Sequence, residues 1–151
     1  MSLYPCTKGT IRKTSIWKNS NTSLTQSFSN QTISLSRSLD IFDYIEVEYV
    51  MTTASNYTAA ANKRKTTIIF PKFEQQSTGT NPKYYLRGCI QNGKRQLERL
   101  QNDPYSLKIY DAIILTSITI TDEDTGISTE YFESATQNRE CVPLEITGIN
   151  I

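Results

Sequence analysis

Apolar and polar residues alternate with a period of two along much of the chain. The pattern is clearest in residues 43–51. One face of this segment carries Ile45, Val47, Tyr49 and Met51, and the other carries Tyr44, Glu46 and Glu48. Successive side chains of a strand point to opposite sides, so this pattern predicts a half-buried β-strand. Residues 31–36 repeat it, with Ile33 and Leu35 facing inward.

Other segments have the composition of strands. They are residues 66–70, closed by Pro71, residues 84–90, and the most apolar segment, residues 112–121. The turn-forming run Asp122-Glu123-Asp124-Thr125-Gly126 predicts a hairpin between residues 112–121 and 127–132. Residues 93–102 are compatible with a helix, from the spacing of Leu97 and Leu100, or with a strand in which Leu97 faces inward.

Short strands separated by polar turns predict an all-β fold, an antiparallel β-sandwich of jelly-roll type. A length of 151 residues suits a single domain. We expect residues 1–14 to form a short N-terminal segment, a possible attachment arm, and residues 15–151 to form the sandwich.

Residue usage argues against most catalytic chemistry. The chain has no histidine, which excludes His-based triads, Cys–His dyads and histidine-ligated metals. Its three cysteines, Cys6, Cys89 and Cys141, are far apart in sequence, and this spacing favours reduced, structural thiols over disulfides or a zinc site. We therefore expect no enzyme activity, no cofactor and no metal.

Charge and hydropathy narrow the choice of partners. A net charge of +1 gives no general attraction to nucleic acid or to anionic membranes. The sequence contains neither a run of membrane-spanning length nor a secretory signal in residues 1–10. The expectation is a soluble protein that is not exported by the ordinary route.

Three polar motifs each have a structural interpretation beside a functional one. Asp122, Asp124, Glu130 and Glu133 approach the spacing of a calcium loop, but the glycine is one position early, which favours a hairpin turn. Lys63-Arg64-Lys65 resembles a basic patch, yet its position favours charges that protect the strand after it. Glu46 and Glu48 lie roughly 7 Å apart along one strand face, a spacing that an inverting glycosidase can use. A solvated sheet face explains them more simply.

Aromatic residues are the candidate binding residues. A sugar-stacking surface would use Trp17, Tyr57, Tyr84, Tyr85 and Tyr105. Aromatic residues on strands more often belong to a core or to a subunit interface, which is the alternative for this group.

Recognisable motifs lie near both ends of the domain. At one end they are Ser15-Ile16-Trp17-Lys18-Asn19, Ser27-Phe28-Ser29-Asn30-Gln31-Thr32-Ile33-Ser34-Leu35-Ser36 and Asp43-Tyr44-Ile45. At the other end the motif is Asn138-Arg139-Glu140-Cys141-Val142-Pro143-Leu144-Glu145-Ile146-Thr147-Gly148-Ile149. Together these motifs resemble a recurring C-terminal module of bacteriophage virion structural proteins. The resemblance covers residues 15–50 and 126–149, and the middle of the chain does not align with the module.

The resemblance implies a β-sandwich exposed on a virion, as in tail-fibre, baseplate or head-fibre proteins. Family members commonly carry a long attachment region before the module, whereas only residues 1–14 precede it here. This departure favours a head-decoration, head-fibre or small tail accessory protein that docks directly on capsid or tail proteins. The implied location is the virion, assembled in the host bacterial cytoplasm, with a possible role in host adsorption. The alternative function is a carbohydrate-binding module for host surface glycans.

The resemblance and the sequence also predict a homo-oligomer, with a trimer favoured. Tyr84 and Tyr85 are adjacent and must point to opposite sides of a strand, so one core cannot bury both. Tyr44 and Val50 are likewise expected on the face opposite Ile45. Outward aromatic residues require a neighbouring subunit, a ligand or solvated hydroxyls.

Overall fold

The computed structural model describes residues 10–21, 27–51, 63–71, 81–88 and 92–151. Nine strands lie in these residues. They are β1 (Arg12–Lys18), β2 (Gln31–Ser34), β3 (Tyr44–Val50), β4 (Lys63–Ile68), β5 (Lys83–Arg87), β6 (Lys94–Arg99), β7 (Ser106–Thr121), β8 (Ser128–Thr136) and β9 (Val142–Asn150). One 3₁₀ turn, Leu39–Ile41, precedes β3. The described residues contain no helix long and apolar enough to cross a membrane.

Two antiparallel sheets pack face to face. Sheet A has the order β1-β9-β3-β4, and sheet B has the order β2-β7-β6-β5 with β8 paired to β7. In sheet A the first and last strands are neighbours, and Arg12 at the start of β1 faces Asn150 at the end of β9. The predicted antiparallel β-sandwich is confirmed.

The core fills the space between the sheets. Sheet A contributes Ile45, Val47 and Ile146, and sheet B contributes Leu97 and Ile109, all of them almost inaccessible to solvent. The alternation predicted for residues 43–51 and 31–36 is confirmed. Val50 departs from it, because the pairing of β3 with β9 shifts register between Glu48 and Tyr49. Tyr49 and Val50 are therefore both buried, and the expectation that Val50 faces outward is wrong.

Several predicted bounds change in the structure. Residues 93–102 contain a strand, β6, with Leu97 buried, so the helical alternative is wrong. The predicted strand at residues 66–70 starts earlier, at Lys63, and ends at Ile68. Residues 12–14, expected in the N-terminal segment, belong to the sheet, since Lys13 pairs with Ile149. Neither β1 nor β9 is predicted by periodicity.

The polar motifs identified in the sequence make hydrogen bonds and ion pairs within the fold. The turn between β7 and β8 is the predicted hairpin, and the Asp122 carboxylate accepts hydrogen bonds from the backbone N–H groups of Asp124 and Thr125. Lys65 lies within 4 Å of both Glu46 (3.8 Å) and Glu48 (3.7 Å) across the β3–β4 pair. These carboxylates thus stand on a partly solvated sheet face and make cross-strand ion pairs.

Candidate functional site

The outer face of sheet B carries a groove of about 370 Å³, which we call the outer groove. It is lined by residues from the loop before β2 and from β5, β6, β7 and β8, namely Asn30, Tyr85, Lys94, Gln96, Tyr110, Asp111, Ile113 and Thr136. A second hollow of about 250 Å³ adjoins it and shares Lys94 and Ile113. The groove therefore extends along the sheet toward the base of the β7–β8 hairpin.

Tyr85 forms one wall of the outer groove. Its side chain is on the solvent side of β5, with 38% of its surface exposed, and its hydroxyl donates to the Gln96 side chain at 2.9 Å. Two cations flank the ring, Arg87 at 5.6 Å and Lys94 at 5.2 Å from the ring centroid. Such cation–π contacts orient an aromatic ring.

Tyr110 is held by a hydrogen-bond network beside the groove. Its hydroxyl donates to Glu98 at 2.5 Å, and the Asn81 amide donates to the same carboxylate at 2.7 Å. Burial raises the pKa of Glu98, but these two hydrogen bonds and the nearby charges of Lys83 and Lys108 together outweigh burial and lower the pKa. The bond to Glu98 raises the pKa of the Tyr110 phenol, so the phenol stays protonated at neutral pH.

Asp111 lines the groove and accepts hydrogen bonds from residues of both resemblance segments. Its carboxylate accepts from the backbone N–H of Asn30 at 2.8 Å and from the Asn138 amide at 2.9 Å. These two hydrogen bonds lower the pKa of Asp111, so it is ionised at neutral pH. One side of the groove therefore presents a fixed negative charge, and the other presents Lys94.

The arrangement suits recognition more than catalysis. Two phenol rings, an amide, a carboxylate and an ammonium group surround an open hollow, which is the set of groups that stacks on and hydrogen-bonds a polyhydroxylated ligand. Among the described residues, no three acidic or cysteine side chains lie close enough together to hold a metal ion.

The five aromatic residues predicted as a group do not form one surface. Trp17 packs edge-on against Phe28 with 6.0 Å between ring centroids, and it lies against the core. Tyr84 also packs against the core, and its hydroxyl is 3.0 Å from the Thr66 hydroxyl. Tyr105 is 54% exposed but does not line the outer groove. Tyr57 lies outside the described residues. Of the other four, Tyr85 lines the groove and Trp17, Tyr84 and Tyr105 do not.

Sequence reasoning missed the groove's other lining residues. Tyr110 and Asp111 are adjacent on β7 and both line the groove, because the pairing of β6 with β7 shifts register between Arg95 and Leu97. A strict period of two would place these neighbours on opposite faces. The bulge leaves no signal in the sequence that reads SLKIYDAI.

In comparisons with known proteins, no family model, no curated protein and no solved structure matches the chain.

Proposed function

We propose that this chain is a bacteriophage virion structural protein that attaches to the capsid or tail and exposes its β-sandwich outward. The observation that supports it is how the two resemblance segments meet. Asn19 donates from its backbone N–H to Leu144 and from its amide to Pro143, at 2.8 and 2.9 Å. The backbone N–H of Phe28 donates to the Asn138 carbonyl at 2.9 Å. The motifs of both ends thus lock together as one unit.

The structure also explains why a glycine stands at position 148, in the motif of residues 138–149. A Cβ atom on Gly148 would lie 2.4 Å from the Phe42 ring, which packs directly over the backbone of β9. Contacts this short are sterically forbidden, so any larger residue here would displace Phe42. Phe42 belongs to the first resemblance segment, directly before Asp43-Tyr44-Ile45, and its ring packs against Gly148 of the second. The resemblance therefore rests on residues that define a scaffold.

Direct inspection of particles tests this proposal. Mass spectrometry of virions purified from the phage that encodes the chain should identify it among the particle proteins. Antibodies against the purified chain should decorate intact heads or tails in immunogold microscopy, and preincubation of the antibodies with the purified chain should abolish the labelling. Absence of the chain from the particles by both methods would overturn the proposal.

A second candidate function, saccharide binding, is favoured by the outer groove. Tyr85 presents a half-exposed ring, and Gln96, Asp111 and Lys94 supply fixed polar groups around the same hollow. A pyranose stacked on Tyr85 would bury its apolar face and hydrogen-bond these groups. The ligand class would be a glycan of the host surface.

A glycan array with matched tyrosine variants tests the saccharide candidate. Tyr85→Ala should lower any saccharide signal at least tenfold, because stacking is lost. Tyr105→Ala removes an exposed tyrosine outside the groove and should leave the signal unchanged. No signal from the wild-type chain, or equal loss in both variants, would reject saccharide binding in this groove.

A further inference from the structure

Strands β7 and β8 extend beyond the sandwich as a two-stranded ribbon. The pairing of β6 with β7 ends at Ile113 and that of β2 at Ile109, whereas β8 accompanies β7 from Ile113 to Thr121. We call residues 115–134 the arm. Seven strand residues on each side give it a length of about 24 Å.

Both faces of the arm carry exposed apolar side chains between polar ones. Leu115 and Phe132 share one face with Glu130, and 38% and 67% of their surfaces are exposed. Tyr131 and Ile120 share the other face with Glu133, and 49% and 56% of their surfaces are exposed. A two-stranded hairpin is at best marginally stable in water, and this one exposes apolar groups on both of its sides. The arm has the surface of an element that packs against something else.

The β7 edge of the arm lacks the usual protection against pairing. From Ala112 to Thr121 the sequence has no charged residue and no proline, and it is rich in isoleucine and threonine. Beyond Ile113 no described strand pairs with this edge. Exposed edges in soluble proteins normally carry lysine, proline or a bulge. An uncharged edge of this length indicates that it is covered in the working form.

The distribution of charge along the chain indicates which molecule covers the arm. Residues 112–138 contain five carboxylates and no lysine or arginine, so they contribute −5 to a chain whose net charge is +1, and the remainder carries +6. Two arms placed side by side would repel each other. The arm of one copy and the sandwich of another attract, which favours a second copy of this chain as the partner.

The outer face of sheet B provides a matching surface, which we call the cationic face. It carries four cations, Lys83, Arg87, Lys94 and Lys108, and two carboxylates, Glu98 and Asp111, beside the rings of Tyr85 and Tyr110. Within the described part of the chain, the four cations make no salt bridge shorter than 4.0 Å, since those bridges involve Lys18, Lys63, Lys65 and Arg99. Aromatic rings and an excess of cations over carboxylates complement the apolar and acidic groups of the arm.

We propose that the arm of one copy docks on the cationic face of a neighbouring copy. Each copy then gives an arm and receives one. In the trimer that the sequence predicts, this contact is heterologous and closes into a ring around a three-fold axis. This inference does not rest on a virion role, and it assigns the outer groove to a protein arm instead of a saccharide.

Charge-swap variants in solution test the contact. Light scattering at micromolar concentration should give the wild type a mass that is a multiple of 17.2 kDa, with three copies expected. The pair Glu130→Lys and Glu133→Lys should reduce it to the single-chain mass, and so should Lys94→Glu with Lys108→Glu. Combining all four substitutions should restore the oligomer, which also shows that the variants fold.

Apolar variants provide an independent measure. Phe132→Ser in the arm should dissociate the oligomer, whereas Ile69→Ser, a change at an equally exposed residue outside the arm (74%), should not. A wild type that stays at 17.2 kDa on concentration would overturn the proposal and assign the arm to a different partner. An oligomer whose mass is unchanged by both pairs of charge substitutions would also overturn the proposal. So would a saccharide signal that depends on Tyr85 in the assembled oligomer, because the groove would then be open.

Discussion

The guanidinium group of Arg95 is inaccessible to solvent and is held by backbone carbonyls. It donates to the carbonyl oxygens of Tyr110, Asn138, Glu140 and Cys141, at 2.6 to 3.2 Å. Burial lowers its pKa to about 10, so it remains charged at neutral pH. The Phe28 ring lies 5.5 Å from it. One side chain thus ties β6 to β7 and to the segment before β9.

Replacing Arg95 should be severely destabilising. Arg95→Met keeps much of the volume but leaves several buried carbonyls without donors, each costing about 1–3 kcal/mol. We expect the free energy of unfolding to fall by at least about 3 kcal/mol. Urea denaturation measures it, with Arg37→Met at an exposed residue as the control, for which the change should stay within about 0.5 kcal/mol. Equal losses in the two variants would contradict this account of Arg95.

Glu98 makes stability depend on acid pH. Its folded-state pKa lies below the unfolded value, because burial is outweighed by the hydrogen bonds from Tyr110 and Asn81 together with the charges of Lys83 and Lys108. Its contribution is therefore present above the ordinary glutamate pKa of about 4.3 and is lost as pH falls through the lower folded value. Glu98→Gln should flatten the decline of Tm between about pH 5 and pH 3. The exposed-turn variant Glu123→Gln should decline like the wild type, and a parallel decline for Glu98→Gln would disprove the linkage.

Cys141 should react slowly with thiol reagents. Its side chain is 1% exposed. In a variant with Cys6→Ser and Cys89→Ser, both outside the described residues, the remaining thiol should react slowly when native and quickly in denaturant. Fast native labelling would show that Cys141 opens to solvent.

At the level of elements, alternation identifies strands whose neighbours pair regularly. It finds β2, β3 and the β7–β8 hairpin from residues such as Ile33 and Val47. It misses β1 and β9, because register shifts at Ser15/Trp17 and Glu48/Tyr49 interrupt the alternation of inward residues. It also fails on β6, where two buried arginines flank Leu97 and the sequence reads as polar.

The candidate site was predictable only in part, for a related reason. Tyr85 was identified as a candidate because aromatic rings suit sugar stacking. The separate expectation that Tyr84 and Tyr85 point to opposite sides is confirmed, since Tyr84 packs against the core and Tyr85 is exposed. The rest of the groove joins residues such as Asn30 and Thr136, which are far apart in sequence. Their proximity depends on which strands pair and in what register, information that a single strand's pattern does not contain. Nor does alternation reveal that the arm lacks an opposing layer.

The turn of the arm depends on Gly126. Its φ of +68° is the left-handed conformation, and an added Cβ would meet no atom within 4 Å. Gly126→Ala should therefore impose a backbone cost of about 1 kcal/mol without any clash. Hydrogen exchange of arm amides should accelerate while Tm changes little, since the arm lies outside the core. Gly126→Asn, which tolerates this conformation better, should exchange less quickly than Gly126→Ala. A large fall in Tm would mean that the arm supports the sandwich.

At the scale of the whole molecule, the sandwich and the arm differ in how much the stability of each depends on the other. The core lies between the two sheets and includes no residue beyond Ile114 from the arm strands until Cys141. The sandwich is thus closed without the arm's side chains, whereas the arm depends on β7 for its attachment. Changes at the arm should alter association and leave folding intact.

The pairing of Arg12 with Asn150 makes the chain a candidate for circular permutation. Paired residues of neighbouring strands lie about 5 Å apart, so a short Gly-Ser linker can join Ile151 to Thr10. New ends opened between Asp124 and Thr125 would fall in an exposed turn, where cuts are tolerated. The permuted chain should keep the strand content seen by circular dichroism and a Tm within a few degrees of the original. Failure to fold would mean that the β7–β8 connection must form early, before β1 and β9 meet.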